Sequence, residues 1–118
     1  MNIVKECLLE AYYMATLPAR RRAAVDRAAR NSEPVHVLFY HRIADCDPNP
    51  WTLHCKKFAK QIRWLQSRFE FVSLSEAQAR IASGKNRWPS VCITFDDGYS
   101  DNCDFAIPLL LREKIPFT

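Results

Sequence analysis

The sequence of 118 residues lacks the paired cysteines of a CxxC motif or a zinc ribbon. Its five cysteines are odd in number and irregularly spaced, which favours reduced thiols and hence a cytoplasmic location. Cys92 lies within an apolar run, so we interpret it as a small buried hydrophobic residue and not as a metal ligand.

Residues 3–17 do not have the pattern of a signal peptide or of a membrane-spanning segment. Glu6 and Glu10 interrupt the apolar stretch over residues 3–17, and the arginines follow this stretch instead of preceding it. The stretch is too short and too charged to cross a bilayer. The sequence therefore predicts no export signal and no transmembrane segment.

Concentrated positive charge is missing as well. The net charge of +4 is divided evenly between the first 33 residues and the remainder, which is too diffuse for a nucleic-acid-binding face. The one basic cluster is Arg20, Arg21 and Arg22, continued by Arg27 and Arg30. This cluster predicts a solvated helix face or, alternatively, peripheral contact of the three consecutive arginines with an anionic membrane surface.

The sequence does contain an alternation of helix and strand patterns. Residues 3 to about 30 have helical spacing that Pro18 interrupts, and a linker-like segment ends at Pro34. Apolar strand patterns then alternate with amphipathic helices, which predicts an α/β fold with mostly parallel strands. We therefore divide the chain into a helical basic extension, residues 1–33, and a domain, residues 34–118.

Within this domain, strands are predicted at residues 35–40, 69–74 and 91–95, and helices at about 52–68 and 101–114. A further helix lies between the last two strands. Ser75 with Gln78 three residues later predicts its capping box, and Gly84 its end. Pro108 is expected to kink the last helix or divide it into two pieces.

The most informative segment is Val91-Cys92-Ile93-Thr94-Phe95-Asp96-Asp97-Gly98-Tyr99, where an apolar strand ends in two carboxylates and a glycine. Two adjacent carboxylates need a partner when buried, most simply a metal cation. Successive strand residues point to opposite sides, so one carboxylate can bind a metal while its neighbour acts as a base. The alternative is an ordinary strand-to-helix turn in which Asp97 or Ser100 caps the helix.

The part of this segment from Thr94 to Tyr99 resembles the first signature motif of the polysaccharide deacetylases, which share the NodB homology domain (carbohydrate esterase family 4). Residues 37–43, Val-Leu-Phe-Tyr-His-Arg-Ile, resemble the first strand of the branch that acts on exopolysaccharides. Residues 58–65 and 72–74 resemble the helix and strand after it. The similarity covers about residues 35–118 and implies the N-terminal portion of a distorted (β/α) barrel, preceded by the helical extension.

The resemblance implies a metal-dependent hydrolase that removes N-acetyl groups from a polysaccharide. Asp96 matches the family's general base, and Asp97 matches its metal-binding aspartate, with zinc as the expected divalent metal. Tyr99 would line the rim of the site and contact the substrate. Because the family often works on extracytoplasmic polymers, the resemblance leaves the location open.

Three further residues are candidates for substrate binding. His41 ends a predicted strand, at the edge where barrel enzymes assemble their active sites, so it either supports the site or contacts the substrate. The alternative is a structural histidine bonded to the backbone. Trp51 and Trp88 lie in predicted loops, where they can stack on sugar rings or cover the edge of the core.

The sequence departs from the family pattern after the first motif. The family completes its metal site with an H-x3-H pair, but no histidine follows His54 in this sequence. Because a catalytic zinc normally needs three protein ligands, we expect residues 34–118 to be an incomplete, truncated domain that is inactive alone. The alternative is a non-catalytic remnant that binds carbohydrate or a partner.

Overall fold

The computed structural model describes residues 3–118, which form a parallel α/β domain preceded by a helical extension. The helices are α1 (Ile3–Ala15), α2 (Leu17–Ala29), α3 (Cys55–Gln66), α4 (Leu74–Ser83) and α5 (Ala106–Arg112), with one turn of 3-10 helix at Ser100–Cys103. The strands are β1 (Val35–Tyr40), β2 (Arg42–Ile43), β3 (Thr52–Leu53), β4 (Glu70–Phe71) and β5 (Ser90–Phe95). The predicted α/β fold with parallel strands is confirmed.

The extension is a single helical arm with a break at the predicted position. The backbone N–H of Thr16 bonds the carbonyl of Tyr12 at 3.0 Å, and that of Arg20 bonds Thr16 at 3.0 Å, so the helical pattern continues from α1 into α2. Pro18 has no N–H to offer, which explains the break. Every residue of α1 is solvent-exposed. Within residues 3–118, no helix is long and apolar enough to span a bilayer.

The main sheet has three parallel strands in the order β1-β5-β4. β5 occupies the centre and pairs with β1 along its whole length, from Val35 opposite Ser90 to Tyr40 opposite Phe95. β4 pairs only with the start of β5. A second, two-stranded parallel sheet joins β2 to β3 beside the end of β1.

The core lies between this sheet and the helices α3 and α5. The predicted apolar stripe of α3 is confirmed, because Phe58, Ile62 and Leu65 are all buried. β5 is buried on both faces over Val91, Cys92 and Ile93, as expected for a central parallel strand. The interpretation of Cys92 as a buried hydrophobic residue is therefore confirmed.

Two details of the helices differ from the sequence-based predictions. Ser73, not Ser75, caps α4, and its hydroxyl accepts a hydrogen bond from the N–H of Glu76 at 3.2 Å. The N-cap is therefore two residues earlier than predicted, while Gly84 ends the helix in a left-handed conformation as predicted. The last helical region divides ahead of Pro108, which falls in the first turn of α5 where a missing N–H costs nothing.

Arg80 on α4 fixes the beginning of β5 and was not predicted to do so. Its guanidinium pairs with Glu70 on β4 and with Glu76 one helical turn before it. It also donates to the side-chain oxygens of Asn86 at 2.8 Å and Ser90 at 2.9 Å. The hydrogen bond from Arg80 lowers the pKa of Glu70. One side chain thus holds β4, α4 and β5 together.

Candidate active site at the carboxyl ends of β1 and β5

The parallel register of β1 and β5 brings their carboxyl ends to one edge of the sheet. Tyr40 stands opposite Phe95, so the next residue of each strand, His41 and Asp96, leaves the sheet at the same level. The N–H of Asp96 bonds the carbonyl of Tyr40 at 2.9 Å, which extends the pairing by one residue. Ligand sites of parallel sheets form at this edge, as the sequence analysis assumed for His41.

Asp97 turns back toward His41 because of its backbone conformation. Its φ angle is +66°, in the left-handed region, and Gly98 follows with φ of +58°. A positive φ is costly for a residue with a side chain, and aspartate tolerates it better than most. The Asp97 carboxylate oxygen Oδ2 lies 3.0 Å from Nδ1 of His41. The Asp97 side chain is 61% exposed while that of His41 is 20% exposed, so the pair opens to solvent on the carboxylate side.

Two aromatic side chains lie beside the pair of His41 and Asp97. The ring of Trp51 lies 4.9 Å from the ring of His41, and Phe39 makes an edge contact with the same histidine at 5.8 Å. The backbone N–H of Trp51 donates a hydrogen bond to the side-chain oxygen of Asn49 at 2.9 Å. Trp51 is 63% exposed, so one of its faces remains open to a ligand. A sugar ring is a suitable partner for such a surface.

A buried clamp beneath the site was missed by the sequence analysis. Asn102 is 3% exposed and lies in the 3-10 turn after the two carboxylates. Its Nδ2 donates to the carbonyl of His41 at 2.8 Å, while its Oδ1 accepts from the N–H of Ile43 at 2.8 Å. The clamp therefore fixes the backbone on both sides of Arg42. The sequence offered no signal beyond an asparagine five residues after Asp97.

Arg42 strengthens the same connection. Its guanidinium pairs with Asp101 and donates to the carbonyl of Asp47. The hydrogen bond to Asp101 raises the pKa of Arg42. No local pattern in the sequence predicted these contacts of Arg42. The contacts of Arg42 and Asn102 therefore tie the turn that follows the carboxylates to the segment of residues 41–43.

The remaining candidates are placed differently. Tyr99 follows the Asp-Asp-Gly turn and its ring lies 6.0 Å from the guanidinium carbon of Arg42, at the margin of the site. Trp88 precedes β5 and so lies at the opposite end of the strand from Asp96, on the order of 20 Å away at about 3.3 Å per residue. The structure brings Asp96, Asp97, His41 and Trp51 together, whereas Trp88 remains apart.

A well-formed groove lies elsewhere, between β1 and α3. It has a volume of about 760 Å³ and includes Leu38, Tyr40 and Trp64. Neither Asp96 nor Asp97 lines it. The candidate site is instead an open surface at the sheet edge.

The described residues do not by themselves complete a site for a divalent metal. Across residues 3–118, no group of three or more histidine, cysteine, aspartate or glutamate side chains is arranged to hold a metal ion. Within the candidate site, Asp97 and His41 contact each other directly at 3.0 Å. A catalytic zinc needs three protein ligands, so these residues do not form such a site by themselves.

The fold and the carboxylates at its edge define a class of protein, namely a parallel α/β domain with a candidate ligand site at the carboxyl ends of its strands. Comparison with known proteins narrows this class. The chain is 34% identical over 79 residues to YxkH of Bacillus subtilis (strain 168), whose name assigns it to the polysaccharide deacetylases. The match covers 64% of this chain and 27% of YxkH. No family model matches the chain.

Two solved structures are similar to the chain. IcaB from Ammonifex degensii superposes with a TM-score of 0.65 and 31% identity, over 72% of this chain and 36% of IcaB. A de-N-acetylase from Aggregatibacter actinomycetemcomitans gives a TM-score of 0.58 and 25% identity, over 70% of this chain and 36% of that protein. The matched segments are parts of (β/α) barrels. Over the matched residues the chain is similar to polysaccharide deacetylases, and it spans about a third or less of the length of these relatives.

Proposed function

We propose that this chain carries the carboxylate-bearing part of a polysaccharide N-deacetylase, an enzyme that hydrolyses acetamide groups on an N-acetylated polysaccharide. One observation supports this most directly. Asp96 and the pair of Asp97 with His41 meet at the carboxyl edge of a sheet that resembles parts of two proteins, one of which is named a de-N-acetylase.

In this proposal Asp96 is the base that removes a proton from the attacking water. The water oxygen bonds to the acetyl carbon, the carbon–nitrogen bond breaks, and the proton taken up by Asp96 passes to the leaving nitrogen, which gives a free amine and acetic acid. His41 holds the Asp97 carboxylate in place through the 3.0 Å contact. Trp51 and Tyr99 would contact the sugar on either side of the carboxylates.

Asp97 is proposed as the metal ligand that this chain contributes, with zinc as the divalent metal by family resemblance. Zinc would supply a Lewis acid at the acetyl carbonyl. Asp97 and His41 alone do not make the three-ligand site that a catalytic zinc needs.

The first test is acetate release from N-acetylated chito-oligosaccharides. We expect no turnover from the 118-residue chain with added zinc, because its carboxylates lack further metal ligands. Sequencing the source nucleic acid past the codon for Thr118 would show whether an open frame supplies an H-x3-H pair. If it does, the longer polypeptide should release acetate, and Asp96→Asn should reduce turnover at least about 100-fold.

One result would contradict this proposal: a longer polypeptide that carries the H-x3-H pair, binds the oligosaccharide and still releases no acetate. Turnover by the 118-residue chain alone, abolished in Asp96→Asn, would instead support the deacetylase function and contradict the expectation that these residues are inactive alone. Asp104→Asn is the matched control, since Asp104 is an exposed carboxylate outside the site.

A second candidate function is carbohydrate binding without catalysis. It is favoured by the exposed Trp51 next to His41 and by the lack of a three-ligand group within residues 3–118. Trp51→Ala is expected to weaken binding of an N-acetylated oligosaccharide about tenfold, because a sugar ring would lose its stacking surface. Trp88→Ala is the matched control, since both tryptophans are similarly exposed and Trp88 lies at the far end of β5.

Titration by calorimetry or ligand-observed NMR, with and without zinc, measures this binding. Equal loss in both tryptophan variants would show that the candidate site is not where the sugar binds. An affinity for the oligosaccharide that is the same with and without zinc would favour the non-catalytic function. An affinity that zinc increases in the wild type but not in Asp97→Asn would favour the proposal that Asp97 is a metal ligand.

A further inference from the structure

The arm formed by α1 and α2 has an apolar face that nothing else in the described structure covers. On a helical wheel of α1, Val4, Cys7, Leu8, Ala11, Met14 and Ala15 fall within an arc of about 120°. The charged residues Lys5, Glu6 and Glu10 lie outside this arc. Every residue of α1 is exposed, and Leu8 retains 65% of its accessible surface. An apolar face of this size on a projecting helix indicates an interaction surface.

The helix α2 carries positive charge on the side of the arm that continues the apolar face of α1. Eighteen residues make five helical turns. Arg21 therefore lies on the same side of the arm as Ile3, and Arg22 lies on the same side as Val4. The hydrogen bonds through Thr16 keep the helical phase approximately across the break. Both arginines are exposed. Residues 3–30 carry six basic and three acidic side chains.

Arg20 differs from Arg21 and Arg22, because its side chain contacts other residues of the arm. Its guanidinium carbon lies 3.6 Å from the centre of the Tyr13 ring, and its Nε donates to the hydroxyl of Thr16 at 3.2 Å. This contact bridges the break between α1 and α2 on the side away from the apolar face. The arm is therefore held in one shape while Arg21 and Arg22 remain available to an outside partner.

We propose that this arm binds the surface of an anionic lipid bilayer, with the apolar face of α1 at the level of the acyl chains and Arg21 and Arg22 at the headgroups. The charge distribution selects this partner over a second copy of the chain. Parallel pairing of two arms would bring their arginine clusters together, and antiparallel pairing would set the apolar α1 against the arginine-rich α2. An amphipathic helix with adjacent arginines is suited to an anionic membrane surface.

Flotation of the 118-residue chain with vesicles tests the proposal. We expect binding to phosphatidylcholine vesicles that contain about 30% phosphatidylglycerol, and much weaker binding to pure phosphatidylcholine. Substituting both Arg21→Gln and Arg22→Gln should reduce binding to the anionic vesicles about tenfold or more. High salt should act in the same direction, because exposed charges are screened.

Two matched leucines separate the apolar face from general hydrophobicity. Leu8 lies within the arc and Leu9 lies outside it, and the two are similarly exposed at 65% and 58%. Leu8→Gln should reduce vesicle binding about tenfold, while Leu9→Gln should change it less than about twofold. Neither substitution touches the core, so thermal unfolding should be unchanged and serves as the folding control.

Three outcomes would overturn the proposal. Equal effects of Leu8→Gln and Leu9→Gln would show that the arc is not the contact. Equal binding to neutral and anionic vesicles would remove the role of the arginines. A concentration-dependent dimer that Leu8→Gln dissociates, together with no flotation, would show that a second copy covers the face instead. None of these outcomes depends on deacetylation.

Discussion

Phe58→Ala is expected to lower the free energy of unfolding by about 3–5 kcal/mol, which is the usual cost of deleting a fully buried aromatic side chain. Phe58 is 0% exposed and is the largest buried side chain of the core. Its ring meets Tyr40 edge-on at 5.0 Å and lies 6.3 Å from Phe95. These two residues end β1 and β5, so the cavity would open directly below the candidate site.

Urea denaturation followed by circular dichroism measures this effect. Trp64→Ala is the matched control on the same helix, because Trp64 is 51% exposed and its truncation should cost less than about 1.5 kcal/mol. If Phe58→Ala fails to fold, Phe58→Leu should fold with a smaller loss. Equal losses from Phe58→Ala and Trp64→Ala would contradict the assignment of the core to the inner face of α3.

Asn102→Leu is expected to destabilise the chain by about 2–5 kcal/mol. The substitution would leave the N–H of Ile43 and the carbonyl of His41 buried without partners, and each such group costs about 1–3 kcal/mol. The effect should extend to the site, because the carbonyl of His41 would lose its anchor. NMR shifts of the His41 ring would report whether its contact with Asp97 survives.

A second variant separates the hydrogen bonds from the shape of the side chain. Asn102→Asp keeps an acceptor for Ile43 but turns a carboxylate toward the carbonyl of His41. Burial would raise the pKa of this carboxyl in the folded state. The loss of folding stability relative to wild type should therefore be largest at neutral pH, where the carboxyl has to be charged. The difference from wild type should shrink as the pH falls from the raised pKa toward about 4, and should be smallest below about 4, where the acid is protonated and can donate again. A difference that is constant with pH would rule out this explanation.

The sequence predicted most of the fold because its signals were local. The apolar runs at residues 35–40 and 91–95 are β1 and β5, and the stripe of α3 and the glycine that ends α4 were also predicted. The sheet order could not be predicted, since it depends on which strands pair across the chain. The wrong cap of α4 arose because Ser73 and Ser75 each have a glutamate or glutamine three residues later.

Less of the candidate site could be predicted. The adjacent aspartates pointed to the carboxyl end of β5, but their spacing does not show that Asp97 meets His41, 56 residues earlier. The contacts of Asn102 and Arg42 span 59 to 61 residues and involve ordinary residue types, so no local pattern identifies them. Trp51 and Trp88 looked equivalent in the sequence, and only the direction of β5 distinguishes them.

The sheet order has a consequence for the time during which the chain is being made. β1 pairs with β5 and not with β4, so its partner is completed only when residue 95 has been synthesised. At about 5–20 residues per second, the 55 residues after Tyr40 take roughly 3–11 s to produce. During that interval the apolar strand Val35–Tyr40 has no strand beside it. We expect nascent chains to depend on chaperones most strongly in this interval.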